Sequence, residues 1–168
     1  MTLAPDCFAF VADLVAQRSA IRLEQGKEYL VESRLGPMAR AHGVGLDEYV
    51  RRLRSGGREG ELTAVVEAMT TNETSWFRDV TPFAALRTHI LPLLRASGTG
   101  ERLRIWSAAC STGQEPYSVL MALADGGPPA VEILATDLNE QVLVRAREGV
   151  YSQLEVNRGL PAAMLVRH

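Results

Sequence analysis

One segment, residues 104–118 with the sequence RIWSAACSTGQEPYS, constrains the fold more than any other part of the chain. It begins with the pattern of a buried strand and continues through small residues. Glu115 and Pro116 then occupy the first turn of a predicted helix. Open α/β sheets build a ligand crevice where a strand ends in small residues at a helix N-terminus. The segment therefore predicts a ligand at the carboxyl end of a strand in a parallel α/β sheet.

A second predicted strand, residues 131–137 with the sequence VEILATD, ends in an acidic side chain. Asp137 has the position expected for a carboxylate that bonds both ribose hydroxyls of a nucleotide-type cofactor. Alternatively, Asp137 caps the helix that follows, as aspartate often does. Asn139 could fill that capping role instead and leave Asp137 to the ligand. Together the two strands are typical of half of a nucleotide-type cofactor site.

The patterning of the chain predicts two domains. Amphipathic helical patterns fill the first part and predict four helices, which cover one another in a small bundle. Asp6 and Asp47 are the predicted caps of the first and third helices, and the second and fourth begin after Gly26 and at about Glu59. Strand and helix alternate from Arg102 onward, which predicts parallel pairing with right-handed crossovers. Glycine and proline residues at 98–100 and 126–129 predict loops before the two strands. We expect an N-terminal helical domain over residues 1–78 and a partial Rossmann-like domain over residues 79–168, an α + α/β fold.

Composition excludes several classes of function. The net charge of -2 gives no reason to expect nucleic acid as a partner, and no run approaches the roughly 20 apolar residues of a membrane span. Cys7 and Cys110 form no CxxC pair, and His42, His89 and His168 lack ligand spacing, so no metal site is expected. The N-terminus lacks the features of a signal peptide. The expected location is the reduced cytoplasm.

Basic side chains are concentrated in the second and third predicted helices. Such charge is ordinarily a solvated helix face. Contact with an acidic partner surface is the alternative, which composition alone does not decide. The residues concerned are Lys27, Arg34, Arg40, Arg51, Arg52 and Arg54.

The turn after the first strand favours a cationic ligand over a phosphate. It contains one glycine, Gly113, where a dinucleotide fingerprint has three. Glu115 would repel a pyrophosphate, because phosphate-binding helix N-termini keep their positive dipole end free of acidic side chains. S-adenosylmethionine fits such a site, since it carries an amino group and a sulfonium and no phosphate. The alternative is that Glu115 only stabilises its own helix N-terminus.

Three motifs carry a family resemblance. The segments Asn72-Glu-Thr-Ser-Trp-Phe-Arg78, Ser111-Thr-Gly-Gln-Glu-Pro-Tyr-Ser118 and Ala135-Thr-Asp-Leu-Asn139 resemble the chemotaxis receptor methyltransferases of the CheR type. Segments 29–35 and 146–151 are also similar to that family, so the resemblance covers nearly the whole chain. Gln114 replaces an acid that is frequent in the family, and Trp76 replaces a frequent phenylalanine.

The resemblance implies an enzyme that transfers a methyl group from S-adenosylmethionine to glutamate side chains of chemoreceptors and releases S-adenosylhomocysteine. It implies that Asn72, Thr74 and Arg78 contact the methionine end of the cofactor or the substrate carboxylate. Glu115 would bind the amino acid end, and Asp137 the ribose. The helical domain of the family meets acidic receptor helices, which would assign receptor binding to Lys27, Arg34 and Arg40.

The expected chemistry agrees with these residues. A glutamate carboxylate is already ionised at neutral pH and is itself the nucleophile, so no general base is required. Alignment of the reacting groups can supply roughly 7–11 kcal/mol. Arg78 can hold a carboxylate through two parallel hydrogen bonds, which makes it the candidate catalytic residue. The alternative for Arg78 is a structural salt bridge between the two domains.

The resemblance also implies further sheet strands that follow the last residue here, so the α/β domain is expected to be C-terminally incomplete. Two parallel strands fall below the usual minimum for a stable sheet. Three explanations compete: a truncated form of the enzyme, a homodimer whose copies complete the sheet, and a natural short relative. The last would make the chain a non-catalytic receptor-binding or cofactor-sensing module.

Overall fold

The computed structural model describes residues 3–96, 102–124 and 130–168. The chain divides into two compact units, residues 1–71 and residues 72–168. The sequence placed this boundary after Arg78. The structure places it earlier because residues 72–78 bond within the second unit: the Asn72 carbonyl accepts from the Ser111 hydroxyl, and the Phe77 N–H donates to Ser118. The predicted loops at 98–100 and 126–129 lie outside the described residues.

The first unit is helical, as predicted. Its helices bury one apolar stripe each in a shared core, which includes Val11, Val31, Leu35, Val50 and Val65. This arrangement removes the apolar faces from water and accounts for the pattern seen in the sequence. The helices are α1 (Pro5–Ser19), α2 (Glu28–Ala41), α3 (Leu46–Gly56) and α4 (Glu59–Met69).

Two of the predicted helix caps have other partners. Ala4 is the N-cap residue of α1, and Gly45 is the N-cap residue of α3. Asp47 Oδ1 accepts the backbone N–H of Ala4 at 2.9 Å, so this carboxylate serves the start of α1. Asp6 accepts from the Arg54 guanidinium at 3.1 Å, which holds the pKa of Asp6 below its usual value. Both predicted caps were wrong because tertiary partners compete for the same oxygen atoms.

The second unit begins with a non-helical segment, residues 72–80, which leads into a helical run and then into the alternation predicted from the sequence. A π-helical turn (Leu86–Ile90) joins α5 to α6. No helix within the described ranges is long and apolar enough to cross a membrane. The elements are α5 (Thr81–Ala85), α6 (Leu91–Ala96), β1 (Arg102–Ala108), α7 (Gln114–Ala124), β2 (Ala130–Thr136), α8 (Glu140–Glu148), α9 (Gln153–Val156) and α10 (Ala162–Arg167).

β1 and β2 form a parallel pair in which Ile105 lies opposite Ile133. Side chains alternate between the two faces of the sheet, as strand geometry requires. On one face Trp106 is 69% exposed and Leu134 is 61% exposed. The parallel pairing confirms the predicted α + α/β class, and its register places the carboxyl ends of both strands side by side.

Candidate functional site

The turn between β1 and α7 has an unusual backbone. Ala109 has a φ of 60°, Ser111 of 50° and Gly113 of 96°, so every second residue is left-handed. A side chain in this conformation costs on the order of 1 kcal/mol, and such strain is concentrated at functional sites. Phe77 and Asp79, at the end of the first sequence motif, also have positive φ angles, of 47° and 55°. The strained segments therefore coincide with two of the sequence motifs.

Asp137 lies directly after β2 and holds this turn through its carboxylate. Oδ2 accepts the backbone N–H of Ser111 at 2.8 Å, and Oδ1 accepts the N–H of Asn139 at 3.0 Å. Asn139 caps α8, as the sequence suggested, because its side chain accepts from the N–H groups of Gln141 and Val142. A carboxylate has about four acceptor positions, so two remain for the hydroxyls of a ligand.

The first sequence motif is bonded to the same turn. The Ser111 hydroxyl donates to the Asn72 carbonyl at 2.8 Å. Ser118 is fully buried; it donates to the Gln114 carbonyl at 2.6 Å and accepts the Phe77 N–H at 3.0 Å. Residues 72–77 are thus tied both to the turn and to α7. Thr74 lies half-buried within this segment.

Glu115 and Arg78 are both exposed. Glu115 lies in the first turn of α7, and no cation in the described ranges pairs with it. Arg78 makes one long contact, from Nη1 to the Glu73 carbonyl at 3.5 Å. Glu73 itself pairs with Arg158. The alternative role for Arg78, a structural salt bridge, is not among the contacts of the described residues.

The basic side chains of α2 differ from one another. The Arg34 guanidinium is half-buried and donates to the Met69 and Thr70 carbonyls, both at 2.7 Å. These carbonyls lie at the end of α4, where backbone acceptors lack partners within the helix. Arg34 therefore closes the C-terminus of α4. Arg40 is exposed, and the Lys27 ammonium lies 6.0 Å from the centre of the Tyr29 ring.

Several residues of the site have a role that the sequence did not indicate. Ser111 was part of a motif but had no assigned role, although it joins the turn to Asn72. Gln114 is only 3% exposed and accepts the Thr112 hydroxyl at 2.7 Å. Tyr151 donates to the Thr112 carbonyl at 2.8 Å. Because Tyr151 lies 39 positions from Thr112 in the sequence, no local sequence pattern could have predicted this bond.

Cys110 lies within the turn and is buried. Burial and the nearby Asp137 carboxylate raise the pKa of its thiol, which therefore stays protonated at neutral pH. Within the described part of the chain, no cluster of histidine, cysteine, aspartate or glutamate has the arrangement of a metal site. The polar groups that converge on the turn are carboxylates, backbone amides and hydroxyls.

Two adjacent parallel strands thus end in a strained turn, a helix N-terminus and an acidic residue. Ligands of open α/β sheets bind at this edge. The turn lacks the glycines of a phosphate-binding loop, and two carboxylates lie beside it: Glu115 in the first turn of α7 and Asp137 after β2. These features define the class of α/β domains that bind a nucleoside cofactor without a phosphate group.

Comparison with known families identifies the chain. Residues 72–168 match the model of the CheR methyltransferase SAM-binding domain, and residues 6–70 match the model of the CheR methyltransferase all-alpha domain. The chain belongs to the CheR methyltransferase family. The two matched ranges meet close to the division between the two structural units, at residues 71 and 72.

Curated relatives agree with this assignment. Chemotaxis protein methyltransferase 1 of Pseudomonas aeruginosa is 43% identical, over 100% of this chain and 64% of the relative. Chemotaxis protein methyltransferase Cher2 of Pseudomonas putida is 42% identical, over 88% of this chain and 57% of the relative. The chemotaxis protein methyltransferase of Escherichia coli is 35% identical, over 96% of this chain and 56% of the relative. The chain thus spans less than two thirds of the length of these relatives.

Proposed function

We propose that the protein transfers a methyl group from S-adenosylmethionine to glutamate side chains on the cytoplasmic helices of chemoreceptors. The observation that carries the proposal is the turn between β1 and α7, held by Asp137 in a strained conformation beside the exposed Glu115. The family assignment supports the same activity. The proposal includes a cytoplasmic location, where the methyl-accepting helices lie.

The residues of the turn fit the proposed cofactor. Asp137 keeps two acceptor positions beyond its bonds to Ser111 and Asn139, enough for the two ribose hydroxyls. Glu115 offers a carboxylate to the cationic amino group at the methionine end. Asn72 and Thr74 precede the aromatic residues of the first motif and line the methionine end in this proposal. The small side chains of Ala108 and Ala109 allow close approach of the ligand to the backbone.

In the proposed mechanism the chain positions reactants and needs no proton transfer. When bound, S-adenosylmethionine supplies a methyl group on a positively charged sulfur. The receptor glutamate is ionised at neutral pH and attacks as a carboxylate. Arg78 orients that carboxylate through its guanidinium, and its exposed position leaves it accessible to a protein substrate. Asn72, Thr74 and Glu115 fix the methionine end, so that alignment provides the rate enhancement.

Basic side chains at the two ends of α2 are the candidates for the proposed receptor contact. We assign this contact to Lys27 and Arg40 first, because the Arg34 guanidinium is engaged with the carbonyls that end α4. Acidic receptor helices would meet these cations with a salt-dependent attraction. Substitution of Arg40 by alanine would then weaken receptor binding at low ionic strength more than at high ionic strength.

A homodimer that completes the sheet is a further part of the proposal. It is supported by the sheet of the described residues, which has two strands and leaves one edge of each without a partner strand. The exposed Trp106 and Leu134 on one face would be covered in such a dimer. Sedimentation equilibrium of the chain tests it, with Trp106→Ala as the variant expected to shift the equilibrium toward monomer. A chain that stays monomeric at high concentration would remove the dimer from the proposal and leave the cofactor site in place.

The decisive experiment is a calorimetric titration of the chain with S-adenosylhomocysteine, followed by a transfer assay with labelled S-adenosylmethionine and a receptor fragment. We expect micromolar binding and, in a protein of the relatives' length, transfer that Arg78→Ala abolishes and Arg147→Ala preserves. S-adenosylhomocysteine binding without methyl transfer, both in this chain and in a protein of the relatives' length, would favour the alternative, a non-catalytic receptor-binding or cofactor-sensing module. Unchanged transfer by Arg78→Ala would remove Arg78 from the mechanism.

A further inference from the structure

Tyr151 lies after α8, outside the segments to which a cofactor role was assigned, and its hydroxyl reaches the turn between β1 and α7. It donates to the Thr112 carbonyl at 2.8 Å. Its ring packs edge-on against Trp76, with 4.8 Å between ring centres, and against Tyr117, with 6.2 Å. One side chain therefore contacts the turn, the first motif and α7.

The close approach of Tyr151 depends on Gly113. A Cβ atom at Gly113 would lie 2.9 Å from the Tyr151 hydroxyl oxygen, closer than side-chain contacts allow. Gly113 also has a φ of 96°, which other residues rarely adopt. The absence of a side chain at Gly113 thus permits both the positive φ angle of the turn and the close approach of the Tyr151 hydroxyl.

The strained turn needs partners on every side, because left-handed backbone at Ala109 and Ser111 persists only where the surroundings fix it. Asp137 holds the Ser111 N–H, and Asn72 accepts the Ser111 hydroxyl. Tyr151 supplies the bond to Thr112. Burial raises the pKa of the Tyr151 hydroxyl, so it remains a donor throughout the neutral and mildly alkaline range.

From these contacts we infer that Tyr151 is a positioning residue for the cofactor site. Its hydroxyl fixes the Thr112 carbonyl and thereby the peptide group that Thr112 shares with Gly113, whose N–H donates to the Cys110 carbonyl at 3.0 Å. These bonds shape the turn beside which the ligand is placed in the proposed function. The inference rests on the proposed function for its ligand, but the ordering of the turn is a property of the chain alone. Tyr151 contacts neither substrate nor cofactor in this role.

Tyr117 provides a matched control. Its hydroxyl donates to the Ala146 carbonyl in α8 at 2.9 Å, so Tyr117→Phe and Tyr151→Phe each remove one hydroxyl-to-carbonyl bond of similar length. Both variants keep the aromatic rings and their packing. Only Tyr151→Phe releases an atom of the turn, so a difference between the variants reports positioning rather than general stability.

The test measures amide hydrogen exchange at Ser111 and Gly113 and the affinity for S-adenosylhomocysteine in both variants. We expect Tyr151→Phe to accelerate exchange and weaken binding by about fivefold, the equivalent of one neutral hydrogen bond, relative to Tyr117→Phe. Equal effects of the two variants, or none, would overturn the inference. An unsubstituted chain that binds no S-adenosylhomocysteine would contradict the proposed function, and the exchange comparison would still decide the role of Tyr151.

Discussion

Asp137 and Ser111 are joined by a hydrogen bond of 2.8 Å from the Ser111 backbone N–H to the Asp137 carboxylate, across 26 positions of sequence. The bond connects the end of β2 to the turn after β1. Asp137 therefore has two roles in the proposed site, since the oxygen atoms that hold the turn are also the proposed acceptors of the ribose hydroxyls. Removal of the Asp137 carboxylate is therefore expected to affect both the turn and the ligand.

We expect Asp137→Ala to lower both ligand affinity and stability. Loss of the carboxylate leaves the N–H groups of Ser111 and Asn139 without their acceptor, at a cost of about 1–3 kcal/mol in the free energy of unfolding. Urea denaturation measures the stability, and titration with S-adenosylhomocysteine measures the affinity. A variant of unchanged stability would show that water replaces the carboxylate, and would contradict the structural task assigned to it.

Glu115→Gln should lower the ligand affinity and leave the stability nearly unchanged. Because Glu115 is exposed and no cation in the described ranges pairs with it, the free energy of unfolding should change by less than about 0.5 kcal/mol. The affinity for S-adenosylhomocysteine should fall about tenfold or more, since a charge-assisted bond to the amino group is lost. Glu148→Gln, an exposed carboxylate in α8, is the matched control. Equal affinities of the two variants would remove Glu115 from the proposed site.

Gly113→Ala should destabilise the chain by more than about 1 kcal/mol. The new Cβ would lie 2.9 Å from the Tyr151 hydroxyl and 3.1 Å from the Ala146 Cβ, and the positive φ would be strained in addition. Gly60→Ala in α4 is the control, because Gly60 has open space around it and alanine favours a helix by roughly 0.5–1 kcal/mol. Thermal unfolding of both variants would show shifts of opposite sign; a stabilised Gly113→Ala would contradict the close packing.

The sequence predicted the elements that local patterns specify. Apolar residues at helical spacing are sufficient to indicate α1 to α4, and an apolar run that ends in small residues indicates β1. The carboxyl ends of β1 and β2 could be placed together because parallel pairing fixes that geometry. Asn139 was likewise recognisable as the cap of α8, since capping involves neighbours in sequence.

The partners of individual side chains could not be predicted in the same way. Asp47 had a suitable position for capping α3 but bonds to Ala4 instead, 43 positions away. Arg34 had the appearance of surface charge, although its guanidinium lies against the carbonyls at the end of α4. Such choices depend on which backbone groups tertiary packing leaves without a partner, and no local pattern records them.

Arg34→Ala should destabilise the first unit, whereas Arg40→Ala should not. The Arg34 guanidinium satisfies the Met69 and Thr70 carbonyls, and its loss should cost about 1–3 kcal/mol. Arg40 is exposed, so its substitution should change the free energy of unfolding by less than about 0.5 kcal/mol. Receptor binding by the Arg34→Ala variant must therefore be compared with that of the unsubstituted chain at equal folded fraction. If Arg34→Ala left the free energy of unfolding unchanged, Arg34 would again be a candidate for the receptor contact.

Glu155→Gln should lose stability in a pH-dependent manner. The Glu155 carboxylate accepts from the Ser152 hydroxyl at 2.7 Å and the Ser152 N–H at 2.8 Å, and it pairs with Arg145. These bonds lower the pKa of Glu155 below its ordinary value of 4.5. A carboxyl group with a lowered folded-state pKa stabilises the chain above its unfolded pKa, and this contribution disappears as the pH falls through the folded value.

The difference between Glu155→Gln and the unsubstituted chain should thus be greatest at neutral pH, at about 0.5–1 kcal/mol, because the site is partly solvated. It should vanish in acid, where the glutamate is itself neutral. Urea denaturation at pH values on both sides of 4.5 measures the two conditions, with Glu148→Gln as an exposed control. A difference that stays constant with pH would mean that the geometry of the side chain, and not its charge, stabilises the start of α9.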